Sequence, residues 1–451
     1  MLAEHAAAAD VAAMPQAAVT ATKASILDQI GVILTASGLS DECRPFIRMA
    51  REEGGGGSTV LGCGFRASMG MAAFANGAMA HALDYEDTHD ETLVHPMAAV
   101  LPAALAVAEA IGASGRDLLA AVAVGADISC RIGQAFEGNP ERRDGFLLLP
   151  FVGAYGATAA VGRLLRSDAD RIEQALSLVF FQIAGSAAVQ RYGASHIRGV
   201  RDAFNARAAV TAAMLAHDGV NGFDRPLEGE AGYFALYAGG RFSSDKALAS
   251  LGERYEIERV SYKPWPACRG THAFIEAALS IASRHAIDAS RIEGIHATVS
   301  PFFRVLCEPR DVRTGPANSV TAKFSIPFTV AVALARRGVS FDHFTEAGLR
   351  DPEVLRLARL VSHEVAPQWG QAESTRGALE LRLTSGECFR EEVIYPRGHP
   401  RNPMSSAELR QKFLACASHA QVHLAGTAAE QLAERIERLE SLQRATDLLP
   451  S

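Results

Sequence analysis

From about residue 24 to residue 222 the chain is a succession of Ala-, Leu-, Val- and Gly-rich segments whose apolar residues recur at helical period. That texture limits the fold more than any single motif, because it predicts a domain made of closely packed helices. Candidate helices cover 69–83, 98–111, 118–136, 153–165, 169–187 and 204–217, and Gly219 stands where the last of them should end. After Gly240 the pattern changes. Ile295, Ala297 and Val299 alternate with polar neighbours, and Leu379, Leu381 and Leu383 alternate with Glu380, Arg382 and Thr384. A Ser385-Gly386 turn and a second run from Cys388 to Tyr395 complete a β-hairpin signature. Helical patterns at 271–285 and 318–337 lie between these runs, so 261–403 is expected to be α+β. Ser405-x-x-Glu408 and Thr427-x-x-Glu430 fit capping boxes, and the second opens a segment with Leu432, Ile436, Leu439 and Leu442 on one face. These helices, in 404–451, are expected to return to the first domain. The fold class is therefore mainly α, a large all-helical domain formed by both chain ends plus a smaller inserted α+β domain. Residues 1–20 carry Glu4, His5 and Asp10 with no basic run, and read as a frayed or weakly helical tail rather than a signal peptide. The helical domain proper is expected over 21–260.

Acidic residues outnumber basic ones by 51 to 44, a net charge of −7. Nucleic acid and anionic membrane therefore find no global attraction, and any bound anion must be held by local cations. The longest apolar stretches, such as 97–108, end at residues like Glu109 and fall short of a membrane span. Seven cysteines lie at 43, 63, 130, 268, 307, 388 and 416 without a C-x-x-C pair, so they read as reduced thiols of a cytoplasmic protein rather than zinc or iron-sulfur ligands. Gly54-Gly55-Gly56-Gly57-Ser58 resembles a phosphate loop at first sight. It lacks the G-K-[ST] ending and is expected to be a turn or linker.

The densest polar cluster runs His81-Ala-Leu-Asp84-Tyr85-Glu86-Asp87-Thr88-His89-Asp90-Glu91-Thr92-Leu93-Val94-His95-Pro96. It lies between two apolar helices, so it is a loop braced by packed elements, where functional groups tend to sit, although a solvated acidic loop has the same composition. No H-x-x-x-H or H-E-x-x-H spacing points to a metal. A second cluster is Tyr262-Lys263-Pro264-Trp265-Pro266-Ala267-Cys268-Arg269-Gly270-Thr271-His272. Thr271 can cap the helix beginning there, which would set His272, Lys263 and Arg269 at a carboxylate-binding corner; a domain-linking segment with surface charges is the alternative. Arg198, Arg201 and Arg207, with His196, Asp202 and Asn205, form a third cluster suited either to salt bridges or to gripping carboxylates. The Pro-rich stretch from Tyr395 to Ser405 reads as structural.

Four ordered blocks resemble the MmgE/PrpD family. They are Asn76-Gly77 followed by His81-Ala-Leu-Asp84-Tyr-Glu-Asp87-Thr88 and His95-Pro96; Lys263-Pro-Trp-Pro-Ala-Cys with Thr271-His272; Ala322-Lys323-Phe324-Ser325-Ile-Pro327; and Gly398-His-Pro400-Arg-Asn402-Pro403-Met404-Ser405. The resemblance implies a helical domain from both chain ends, an α+β lid inserted near 265–400 and an active site between them. It also implies a homodimer that uses neither metal nor organic cofactor, with a small carboxylate as its partner and no nucleic acid or membrane. The family's functional Asp, Thr and His fall on Asp84, Thr88 and His95, and its Thr-His pair on Thr271 and His272. Leu147 stands where many relatives have histidine, and Arg198 and Arg201 where many have lysine and histidine. The chemistry implied removes a proton from a carbon beside a carboxylate and stabilises the resulting charge. A histidine suits the first task and Lys or Arg the second. His95 or His272 is accordingly assigned to proton transfer, Asp84 to orienting an imidazole, Thr88 to positioning substrate, and Lys263, Arg198 and Arg201 to holding carboxylates. The expected reaction is that of a dehydratase-like lyase, with epimerase, decarboxylase and a non-catalytic carboxylate binder as alternatives.

Overall fold

The computed structural model describes residues 1–137, 145–146, 149–191, 195–370, 373–424 and 426–449. The chain is mainly α and forms two compact units, Met1–Val260 with Ser405–Ser451, and Ser261–Met404. The first unit contains α1 (Leu2–Ala8), α2 (Gln16–Leu39), α3 (Arg44–Glu53), a hairpin of β1 (Ser58–Val60) and β2 (Phe65–Ala67), and α4 (Met69–His81). It continues through α5 (Met97–Ile111), α6 (Gly115–Ala135), α7 (Leu149–Leu164), α8 (Ala169–Phe180) and α9 (Asp202–His217).

The alanine- and glycine-rich sequence becomes close backbone approach. A Cβ on Gly156 would lie 2.2 Å from the Gly125 carbonyl oxygen and 2.0 Å from Ser129 Oγ, so α6 and α7 meet where no larger residue fits. The run from Met97 to Glu109 in α5 is buried without a break, as expected of a helix at the centre of its domain. α2 and α6 also have the length and mean hydropathy, 1.3, of a membrane span, in contrast to the sequence expectation. Both are largely buried in the unit and carry Asp28, Gln29, Asp127 and Arg131 among their buried residues. Ser114 and Asp168 cap α6 and α8 by accepting from the Asp117 and Arg171 amides.

Two readings change here. The N-terminal residues are not a frayed tail: α1 buries Ala3 and Ala6, His5 Nε2 lies 3.0 Å from Asp127 Oδ2, and Arg163 donates to the Ala9 carbonyl at 2.6 Å. Small side chains and specific polar partners supply the docking that composition alone did not reveal. The helix expected over 169–187 stops at Phe180, because the following chain turns away and pairs Ser186 with Phe146, with the Ala187 amide donating to the Gly145 carbonyl at 2.8 Å. The glycine run is a turn as expected. Gly54, Gly55 and Gly56 have φ of 66°, 56° and 154°, and a Cβ on Gly56 would meet the Ala67 carbonyl oxygen at 2.2 Å. The run leads into a strand rather than a helix.

Two C-terminal helices, Ser406–Ala417 and Ala428–Glu437, belong to this first unit. Ser405 and Glu408 form the expected capping box, the Glu408 carboxylate accepting from the Ser405 amide at 2.7 Å. Thr427 does not cap its helix and instead accepts from Gln431 Nε2 at 3.2 Å.

The second unit carries α10 (His272–Arg284), β3 (Ile292–Val299), α11 (Ile326–Arg336), α12 (Pro352–Leu360), β4 (Val361–Val365), β5 (Gly377–Leu383) and β6 (Cys388–Val393). The sheet order is β4-β3-β5-β6. β3 pairs antiparallel with β5, and β5 with β6 across the predicted Ser385-Gly386 turn, where Gly386 has φ 87°. β4 pairs parallel to β3, Ile295 opposite Val361, after a crossover containing α11 and α12. The helix expected over 318–337 is broken. Ser319–Lys323 forms one short helix, and Ser325 then caps α11 by accepting from the Phe328 amide at 3.0 Å, with Pro327 in the first turn.

None of the seven cysteines, all of them among the described residues, is in a disulfide. Burial pushes the Cys63 and Cys307 thiols up to about 12 and Cys416 to about 11, so these three stay protonated and inert.

Candidate active site

The polar loop that follows α4 is fixed from several sides within the first unit. Asp84 ends the helix by adopting a left-handed backbone, φ 53°, which aspartate tolerates better than most residues, and its amide donates to the His81 carbonyl at 3.0 Å. Asn76, one turn before the end of α4, spans the hairpin edge. Its Oδ1 accepts from the Leu61 amide and its Nδ2 donates to the Thr59 carbonyl, both at 2.9 Å. Lys412 of helix Ser406–Ala417 donates to the Tyr85 carbonyl at 2.8 Å, pairs with Asp28 of α2 at 2.7 Å, and places its ammonium 3.8 Å from the centre of the Tyr85 ring. The C-terminal helix thus holds the loop from behind. His89 is part of the scaffold: its amide donates to the Val94 carbonyl at 2.8 Å, and its ring contacts Thr92 Oγ1 at 2.8 Å and Glu256 Oε2 at 3.4 Å.

Around His95 the loop converges on one atom. The Asp87 carbonyl oxygen lies 2.8 Å from His95 Nδ1, Glu86 Oε1 3.0 Å, and Thr88 Oγ1 3.3 Å. A carbonyl and a carboxylate can only accept, so Nδ1 carries the proton and the lone pair of the neutral ring is on Nε2. His81 points its own Nδ1 at the same Glu86 oxygen in a short contact, and the two rings are 4.9 Å apart between centroids. Burial lowers the affinity of His81 for a proton, and the nearby Arg201 guanidinium lowers it further, against the pull of Glu86. Glu86 and Asp87 are buried and Thr88 is 1% exposed, whereas the His95 side chain keeps 16% exposure. His81, Glu86 and His95 offer ligand atoms within 4.8 Å of one another, close enough to consider a metal. The acceptors that face His95 Nδ1 also suit the trio to hydrogen bonding through the shared Glu86 oxygen.

The arginine cluster is packed against this loop. Arg198 lies in the one-turn helix Ile197–Val200, where a Cβ on Gly199 would stand 3.5 Å from the Ala82 Cα, and Arg201 follows immediately. A Cβ on Gly77 would meet the Asp202 carbonyl oxygen at 2.7 Å, so the Asn76-Gly77 motif serves the hairpin with one residue and admits the start of α9 with the other. Arg198 is half-buried. Arg201 is engaged locally, donating to the Arg198 carbonyl at 2.6 Å and lying 3.7 Å from Asp202 Oδ2. Arg207 sits over the Phe74 ring, 4.4 Å from its centre, and takes no part. Leu147 lies outside the described residues.

Lys263 and His272 belong to the second unit and both are fully buried. His272 Nε2 donates to the Ala267 carbonyl at 3.1 Å, and the ring packs on Trp265 at 5.3 Å. Thr271 does not cap α10 as expected; its hydroxyl donates to the Cys268 carbonyl at 2.8 Å. Arg269 is structural too, donating to the carbonyls of Arg397 and Pro396 at 3.0 and 3.2 Å. Gly398, φ 88°, brings its loop against Tyr262, whose carbonyl oxygen a Cβ would meet at 1.8 Å. That approach ties the 395–405 stretch to the segment carrying Lys263.

Residues 1–245 match the MmgE/PrpD N-terminal domain and residues 265–440 the MmgE/PrpD C-terminal domain. The chain belongs to the MmgE/PrpD family. Among curated family relatives, a cis-aconitate decarboxylase of Aspergillus terreus is 26% identical over 423 residues, 88% of this chain and 83% of the relative. The cis-aconitate decarboxylase of Homo sapiens is 28% identical over 383 residues, 82% of this chain and 77% of the relative. Within this family frame the residues drawn together in the first unit are Thr88, His95 and the arginine-bearing segment, with His81 and Glu86 added by the structure. Sequence reasoning had included both additions in the polar cluster and given neither a role. Their signal was the density of His and Glu beside the assigned His95, but only the chain's path shows that one Glu86 oxygen faces both rings.

Proposed function

We propose that this protein is a lyase that moves a proton at a carbon beside a carboxylate of a small di- or tricarboxylate, with His95 Nε2 as the proton-transfer atom. The observation that carries this reading is the position of His95 Nδ1 2.8 Å from the Asp87 carbonyl and 3.0 Å from the Glu86 carboxylate, two acceptors that assign its proton to Nδ1 and leave Nε2 as the basic atom of a partly exposed ring. Arg198 is the proposed carboxylate clamp, because it stands on a segment packed against the same loop, with Arg201 adding positive charge beside His81. Lys263 and His272 keep the substrate-binding and proton-transfer roles that the family resemblance implies, and Asp84 is proposed to hold the loop geometry. Relatives that carry the name cis-aconitate decarboxylase favour loss of carbon dioxide over loss of water; dehydration would use His95 to take a proton from carbon, and decarboxylation would use its protonated ring to deliver one to carbon.

The test is incubation of the full chain with cis-aconitate, and separately with hydroxylated tricarboxylates, in deuterated water. Decarboxylation releases carbon dioxide and leaves one solvent deuteron on the product carbon. Dehydration yields an alkene, and epimerisation exchanges label without either. Binding of these acids with no turnover and no label exchange would sink the lyase reading and leave a carboxylate binder. Activity is expected to survive dialysis against a chelator; loss on chelation with recovery on adding back zinc or iron would reassign the His81, Glu86 and His95 trio to a metal.

A further inference from the structure

We infer that Glu86 is a positioning residue for proton transfer, its carboxylate shared by the His81 and His95 rings so that the charge formed on His95 during turnover has a fixed counter-charge. The inference deepens the reading of His95 as the proton-transfer residue and rests on it. Three features of the site support it. Glu86 is fully buried, so its carboxylate is oriented by the protein rather than by water. Its Oε1 lies 3.0 Å from His95 Nδ1 and in short contact with His81 Nδ1. The Asp87 carbonyl, 2.8 Å from the same His95 nitrogen, already selects the tautomer, which leaves charge stabilisation as the distinct task of the carboxylate.

In dehydration His95 Nε2 takes a proton from carbon and becomes an imidazolium; in decarboxylation the imidazolium is present first and gives its proton to carbon. In either direction a buried carboxylate on the far nitrogen lowers the energy of the charged ring. The carboxylate thereby sets how readily the charged ring is reached without touching the substrate. His81 shares the oxygen and, kept neutral by burial and by Arg201, serves as a second N–H donor that holds Glu86 in place without competing for the proton. Among the described residues, the charged or titratable groups that bear on this cluster include His81 from α4, Asp87 and His95 from the loop, Arg201 with its neighbour Asp202 at the start of α9, and Cys130 of α6, which feels the charge of Asp87. Arg201 opposes protonation of the cluster, and Glu86 is the group that offsets it.

The test compares Glu86→Gln and Glu86→Asp in the full chain by two readouts. The first needs no substrate. In ¹⁵N-histidine spectra, with His95→Gln identifying the resonances, Glu86→Gln should form the His95 imidazolium at a pH lower than wild type by about one unit or more, and Glu86→Asp should recover most of that difference. The second is turnover: kcat should fall by about 10²–10⁴-fold in Glu86→Gln with KM little changed, and the limb of kcat that His95 sets, the low-pH limb in dehydration or the high-pH limb in decarboxylation, should move to lower pH. A His95 titration in Glu86→Gln that superimposes on wild type, in protein with a wild-type circular dichroism spectrum, would overturn the inference. So would equal loss of turnover in Glu86→Gln and Glu86→Asp with an unmoved pH limb, which marks a purely packing role. If the spectra respond as expected but no carboxylate is turned over, the inference about Glu86 stands and the lyase reading fails, so the two are separable.

Discussion

A histidine does acid–base work through one nitrogen while the other is told what to do by its neighbours, and here those neighbours discriminate between the two histidines that sequence reasoning ranked equally. His95 keeps partial exposure and has its Nδ1 committed, whereas His272 is fully buried and donates through Nε2 to Ala267. His95→Gln is therefore expected to cut kcat by about 10²-fold or more with folding retained. His272→Gln should cost turnover as well, with added loss of thermal stability from disturbing a fully buried ring packed on Trp265. Arg198→Met should show first in KM, and in kcat too if the clamp tightens as charge develops. Steady-state kinetics with thermal melts on the three variants checks the division; full activity in His95→Gln would remove it from proton transfer. Residue type and family pattern single out Asp84, Thr88 and His95 in the sequence. The place of Glu86 is not legible there, since it depends on a left-handed Asp84 folding the chain back, and neither is the 3.3 Å contact of the Thr88 hydroxyl with His95.

At the scale of elements, helices were legible wherever apolar period and cap agreed, as at Ser405 and Glu408, and illegible where a tertiary partner decided the end. Ser186 pairing with Phe146 cuts α8 short, and Ser325 with Pro327 divides the segment at 318–337, two events that period alone does not register. The short edge strand β4 has too few residues for its alternation to stand out. The contact of Lys412 with Tyr85 and Asp28 joins a C-terminal helix to the polar loop after α4 across more than three hundred residues, so no local pattern could reveal it. Lys412→Met should destabilise the protein by about 3–5 kcal/mol, because it deletes one member of a buried ion pair, and should lower kcat by loosening the loop. Combining it with Asp28→Asn should recover part of the stability, since the carboxylate is then no longer buried without its cation. Chemical denaturation of the two single variants and the double variant measures this; additive losses would mean that the pair is not coupled.

Across the whole chain, the N-terminal helix, α6, the segment leading to the second unit and the active-site loop meet at one buried network. His5 contacts Asp127; Arg131, fully buried, donates to Asp127 at 2.7 Å and to the carbonyls of Ala247, Ala249 and Arg254; and the Glu256 amide donates to Asp127 at 2.7 Å. Glu256 in turn accepts from Gln134, Arg254 and Arg259 and faces His89 of the loop. Burial alone would raise the Glu256 carboxyl, but His89 and the two arginines outweigh it and bring the group from its ordinary 4.5 to about 2. A depressed carboxylate binds protons more readily in the unfolded chain than in the folded one, so its contribution is complete above the ordinary value and is lost as pH falls from there toward about 2. Glu256→Gln should therefore lower the melting temperature at neutral pH, and the gap to wild type should hold down to the ordinary carboxylate range and then close in acid. Melts of both proteins across that range decide the matter: a gap that stays constant into acid would assign the stabilisation to packing and hydrogen-bond number rather than to the ionised carboxylate. Because the same carboxylate faces His89, the variant should also loosen the loop that presents His95, and kcat at neutral pH should fall alongside the melting temperature. A variant that melts lower but turns over at the wild-type rate would separate the stability of the domain from the geometry of its active-site loop.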